Sequence, residues 1–215
     1  MKTDQFYKYS EEFLKNCRNE VLQSFMSNPP AGKWHPNGFA VFYIRDIENI
    51  GKLRLHVWPK GIRIALDGQP KIHSHPWDLC SLVIAGVYQD TIYESVRYEE
   101  FSPERQQEFR LKFGSPMEGD QLKLVDAWHT IIESRRRKIS QGNCHCLSAG
   151  VLHSTNIPID EFVITIMLSG LNANFEKLML IGDRHFGERS YVRPEVAMEH
   201  IVNIQSFIAK NTQRI

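Results

Sequence analysis

Ile72-His73-Ser74-His75-Pro76-Trp77 is the stretch on which the reading of this chain turns, together with Gly150-Val151-Leu152-His153 far downstream. Two histidines at i and i+2 of a β-strand project to the same face. A third imidazole brought in from a distant strand completes a three-nitrogen face, a common way to hold a divalent metal while leaving coordination positions open. Taken singly, each of these residues reads as an ordinary packed or turn histidine. The metal reading rests on the three together.

Outward from the pair the chain is strand-like. Phe39–Ile44, Leu53–Trp58, Leu82–Ile84, Tyr88–Val96 and Phe109–Phe113 are rich in β-branched and aromatic residues. Trp128–Ile139 alternates in part and carries Arg135-Arg136-Arg137-Lys138, whereas Phe162–Leu168 reads as a strand buried on both faces, with a further strand at Lys177–Ile181. Asp67-Gly68 and Gly142-Asn143 are turn signals between these runs. A helix is predicted from about Ser10 to Met26, where Phe13, Leu14, Cys17, Val21, Leu22 and Phe25 recur at spacings of three and four, and Pro29, Pro30 and Gly32 end it. A second is predicted from Pro194 to about Ala209. The expected fold class is mainly β, an antiparallel barrel or sandwich with a helix at each end. One domain over 1–215 is expected: a helical segment at 1–30, the barrel at 38–182 and a C-terminal helix at 193–210.

Composition narrows the partners. With 42% hydrophobic and 24% charged residues the 215-residue chain can bury one sizeable core. A net charge of +1 gives no broad attraction to nucleic acid or to an acidic membrane. No apolar run reaches the roughly 18 residues of a membrane span. The start, Met1-Lys2-Thr3-Asp4-Gln5, has no secretory character, and the four cysteines then read as reduced thiols. The cytoplasm is the expected location, and a homodimer formed through barrel edges or terminal helices the expected assembly.

The histidines and their flanking residues resemble the cupin superfamily (RmlC-like). Its first motif runs Gly, five residues, His-x-His, three or four residues, Glu, six residues, Gly. Here Gly68 precedes His73-Ser74-His75 by four residues, Leu79 stands at the Glu place, and Gly86 follows after six. Its second motif runs Gly, five residues, Pro-x-Gly, two residues, His, three residues, Asn. Here Gly142, Ser148 in place of Pro, Gly150 and His153 fall in step, with Asn156 one place early. The resemblance covers about 68–157 directly, and the strand pattern extends it over 39–181. It implies a single jelly-roll barrel with His73, His75 and His153 as metal ligands.

The missing carboxylate implies more. A cysteine at the Glu place is similar to the cysteine-dioxygenase-like thiol dioxygenases, and under the four-residue spacing Cys80 stands there. No tyrosine in Phe162–Leu168 is on hand to be crosslinked to it, so Cys80 as a small buried hydrophobe is the favoured reading. Asp78, the nearest carboxylate, is expected to accept a hydrogen bond beside the site or to lie on a turn. Arg54 and Arg137 are candidates to orient a substrate carboxylate, and His56 shares the Arg54 face. His129 has no partner by spacing, and Cys144-His145-Cys146 lacks the paired spacing of zinc modules and reads as plain strand. The expected function is a non-haem Fe(II) oxygenase or dioxygenase acting on a small polar molecule. Zn, Mn or Ni are alternatives to iron. A metal-dependent isomerase or hydrolase, or a binding cupin without turnover, are alternatives to the oxygenase.

Overall fold

The computed structural model describes residues 1–115, 118–171 and 173–212. Helix α1 spans Thr3–Ser27, and its buried residues Phe6, Ser10, Leu14, Cys17, Val21, Leu22 and Phe25 form one stripe. It begins two turns before the expected Ser10. The small buried Ser10 interrupts the apolar run in sequence, yet it keeps the three-to-four spacing that leads back to Phe6.

The strands among the described residues are β1 (Gly32–Trp34), β2 (Ala40–Ile47), β3 (Gly51–Trp58), β4 (Ile72–His73), β5 (Leu79–Ala85), β6 (Val87–Tyr98), β7 (Gln106–Lys112), β8 (Asp120–Ser140), β9 (Cys144–Leu147), β10 (Leu152–Asn156), β11 (Val163–Gly170), β12 (Leu180–Gly182) and β13 (Arg189–Tyr191). Helix α2 spans Met198–Thr212. Two expectations shift here. Lys177 lies in a turn of 3-10 helix, Phe175–Lys177, opened by the Asn174 side chain accepting from the Glu176 N–H, so β12 starts only at Leu180. Residues 194–196 are spent beside β1, where Trp34 N donates to Pro194 O at 2.8 Å and Val196 N to Gly32 O at 2.9 Å, so α2 starts four residues after Pro194.

The strands form two sheets. The first runs β1-β2-β3-β11-β5-β9, and the second β13-β8-β6-β10-β4-β12-β7. Strand β8 is 21 residues long; its first part pairs with β7 and its second with β6, so the second sheet returns on itself. Period-2 alternation sorts the first sheet's side chains between two environments. Leu53, Leu55, Val57, Cys80, Leu82, Ile84, Ile164, Ile166 and Leu168 join a core with the buried stripe of α1 and with Ile201, Ile204 and Ile208 of α2. The intervening residues Arg54, His56, Trp58, Leu79, Ser81, Thr165 and Met167 face a cavity. Both helices therefore cover the outer face of this sheet, and its inner face is free to build a site against the second sheet. No helix is long and apolar enough to cross a membrane.

Candidate metal centre

His73 ends β4 and lies directly opposite His153 of β10 in the antiparallel register. His75 stands beyond the strand end, so the pair is not carried on one regular strand as its spacing suggested. It shares the His73 side because Ser74 between them is buried and stitched the other way. Ser74 N donates to Met179 O at 2.9 Å, and Met179 N donates to Ser74 Oγ at 2.9 Å. The loop before β10 holds His75 in turn, with Gly150 N donating to His75 O at 2.9 Å. Gly150 has φ +88°, a left-handed conformation that glycine adopts without strain. The other glycines of the motif, Gly68, Gly86 and Gly142, also have positive φ.

The ligand atoms of His73, His75 and His153 lie within 4.8 Å of one another, and His75 Nε2 and His153 Nε2 face each other at 3.1 Å. His73 Nδ1 lies 2.9 Å from Lys71 O, and His153 Nδ1 lies 3.0 Å from Asp90 Oδ1. A carbonyl and a carboxylate only accept, so each Nδ1 carries the proton and each Nε2 presents its lone pair to the cluster. His73 and His75 keep part of their rings open to the cavity while protein encloses them. Burial pushes the His73 imidazolium down to about 3, and burial with the neighbouring imidazoles holds His75 well below the ordinary range. Three neutral imidazoles in this arrangement fit a divalent metal.

Asp90 is fully buried on β6 and also serves His145, whose Nε2 lies 3.1 Å from Asp90 Oδ2. Burial alone would raise the Asp90 carboxyl, but His145 and His153 outweigh it and hold it far below the usual carboxylate range. Tyr88 Oη lies 2.8 Å from His145 Nδ1, and Arg137 Nη2 lies 3.8 Å from Asp90 Oδ2. The chain from His153 through Asp90 to His145, Tyr88 and Arg137 escaped the sequence reading. Its one signal was the place of His145 between two cysteines on a short alternating strand.

The cavity measures about 260 Å³ and lies between the sheets. His35, Phe39, His56, Trp58 and Tyr88 form an aromatic wall, with the rings of His35 and Phe39 stacked at 4.3 Å and those of Phe39 and Trp58 at 4.5 Å. Arg54 and Arg193 also line it, and among the described residues no aspartate or glutamate does. Arg193 Nε is held by Asp120 Oδ2 at 2.7 Å. Arg54 has no carboxylate in ion-pair reach among the described residues; it donates to Ser169 Oγ at 3.1 Å and lies 5.6 Å from the Trp77 ring. Burial lowers its pKa, and the Arg193 charge adds to the effect. Trp77 Nε1 is a buried donor without a hydrogen-bond partner.

Of the other expected site residues, Arg54 and His56 do line the cavity. Asp78 does not. Its Oδ2 accepts from Thr3 Oγ1 at 2.9 Å and its Oδ1 from Ala149 N at 2.8 Å, pinning the start of α1 to the loop before β10. Cys80 does not either: alternation along β5 turns Leu79 and Ser81 to the cavity and Cys80 into the core under α1. Leu79 is thus the residue that faces the site where a cupin places glutamate. Arg137 is set back behind Asp90 and does not line the cavity.

No protein-family model matches the chain, and no curated protein matches it. Among solved structures it is similar to KdgF from a Halomonas species, at 12% identity and a TM-score of 0.32 over 62% of this chain and 79% of that one. It is also similar to a cupin-like protein from Thermotoga maritima, at 14% identity and a TM-score of 0.30 over 79% and 89%. Drosophila melanogaster CENP-C is a third, at 9% identity and a TM-score of 0.37 over 73% and 98%. Likenesses this distant assign neither family nor function, and the site rests on its own geometry.

Proposed function

We propose that this chain is a metal-dependent enzyme of the cupin type, a non-haem Fe(II) oxygenase acting on a small acidic molecule. The observation that carries the proposal is the trio His73, His75 and His153, with ligand atoms within 4.8 Å, at a cavity that two arginines and no carboxylate line. His73, His75 and His153 would hold the metal, with Leu79 at the usual glutamate place adding no fourth protein donor. Bound iron would supply the one-electron chemistry that reaction with dioxygen requires. The protein's own groups do the rest. Asp90 fixes the ring and tautomer of His153. Arg54, buried and free of any carboxylate partner among the described residues, is placed to take a substrate acid group by a charge-assisted contact. The unpaired Trp77 N–H adds a second donor for the same anion. The aromatic wall of Phe39, Trp58 and Tyr88 receives the apolar body and excludes water.

The test is anaerobic reconstitution with Fe(II) followed by oxygen-uptake measurements against a panel of small carboxylic acids. Uptake that depends on iron, on an acid and on Arg54 is expected. Metal-dependent turnover without oxygen consumption would replace the oxygenase by an isomerase or hydrolase.

A further inference from the structure

We propose that Cys80 and Cys146 are a redox pair that closes to a reversible disulfide when the protein meets a hydroperoxide. The site lies on the helix-covered face of the first sheet, apart from the histidines. Cys80 and Cys146 are directly opposed in the antiparallel register of β5 and β9. Such residues have Cα atoms about 4.5–5.5 Å apart, inside the span a disulfide bridges. Alternation turns both, with Cys144, toward the same core under α1.

Accessibility divides the roles. Cys80 is fully buried, whereas Cys144 and Cys146 are half-buried on β9, the edge strand of the sheet. The Cys80 thiol interacts with the thiols of both Cys144 and Cys146, which together with burial hold it far above the ordinary range. Cys144 faces Leu82 in the register and is diagonal to Cys80, a longer separation for a bridge. The three thiols do not converge as a metal site, since among the described residues only the three histidines bring ligand atoms within 4.8 Å.

The chemistry balances with the peroxide as oxidant. The Cys146 thiolate attacks one peroxide oxygen, the O–O bond breaks, and Cys146 becomes a sulfenic acid as an alcohol or water leaves. The Cys80 sulfur then attacks the Cys146 sulfur, the S–O bond breaks, and water departs with the Cys80 proton. An external dithiol reverses the step by exchange. The other faces of the same two strands carry Leu79, Ser81, His145 and Leu147, all of which line the cavity. The disulfide therefore staples together two strands of the cavity wall.

The experiment treats the whole chain with hydrogen peroxide in the presence of a chelator, blocks remaining thiols, and maps linked peptides by mass spectrometry. Free thiols are expected to fall from four to two, with a single Cys80–Cys146 peptide that a dithiol reverses. The link should persist in Cys144→Ser. It should vanish in Cys146→Ser, whose half-buried edge position tolerates the change. Four thiols remaining, a Cys80–Cys144 link, or oxidation to sulfinic acids with Cys80 untouched would each overturn the proposal.

Discussion

His153 can serve as a ligand because Asp90, contributed by a neighbouring strand, takes the proton on its other nitrogen at 3.0 Å. Removing the negative charge while keeping the shape isolates that contribution. Asp90→Asn should weaken metal binding ~10–100-fold with the fold retained, as read by competition titration and circular dichroism; unchanged affinity would show that His153 needs no such support. Arg54 makes a second residue-scale claim. Arg54→Gln should weaken the binding of a simple carboxylate probe such as benzoate about tenfold or more, the worth of a charge-assisted contact of roughly 1.5–3 kcal/mol. Its measurement by calorimetry on metal-free protein keeps it independent of the histidines. At this scale the sequence exposed the three histidines, because a short spacing and two flanking glycine patterns mark them. Asp90 carries no such mark. It lies 63 residues from His153 and meets it only through strand pairing. Cys80 misleads for the opposite reason, since its spacing suits the site while the pleat turns it away.

Strands β5 and β11 are buried on both faces, one against the helices and one against the cavity, and their sequences are correspondingly apolar throughout. Leu168, fully buried in the layer shared with α1, tests that sandwich: Leu168→Ala should cost about 2–5 kcal/mol in denaturant unfolding, and a cost near zero would mean that the layer is loosely packed. The turn between β5 and β6 makes a comparative prediction. Gly86 and Gly142 have φ of +84° and +82°, but a Cβ at Gly86 would lie 2.3 Å from Phe162 O, whereas one at Gly142 meets nothing within 4 Å. Gly142→Ala should therefore show only the left-handed strain of about 1–2 kcal/mol, and Gly86→Ala clearly more. Equal losses would contradict the close approach of Phe162. Long alternating or apolar runs were legible as strands, and the periodic stripe as a helix. The edges were not, because the segment after Pro194 gives its backbone bonds to β1, a partner far away in sequence.

Two buried ionisable groups shape how the whole molecule responds to acid. His56 is held neutral by burial, with help from Arg54, and its pKa falls to about 3 from an ordinary 6.5. Between those values the unfolded chain binds a proton that the folded one refuses, so stability is lost as pH falls through this window. Glu108 acts lower. Burial would raise its carboxyl, but His129 at 2.9 Å and Arg110 at 2.7 Å hold it below 4.5, and its contribution fades as pH drops further. His129, without a partner by spacing, is thus one half of a buried pair joining β7 and β8. The metal-free protein should melt at a lower temperature at pH 5 than at pH 7, and His56→Asn should flatten that slope; a flat wild-type profile would contradict the burial of neutral imidazoles. The two-layered β scaffold, its helical cover and its inner cavity all serve one claim, that three neutral imidazoles hold a metal. Its most direct test is elemental analysis of the folded chain after equilibration with Fe(II), Zn, Mn or Ni and removal of free ion. The account predicts one bound ion per chain in the wild type and none in His153→Ala. A folded wild type that retains none of the four metals would contradict it.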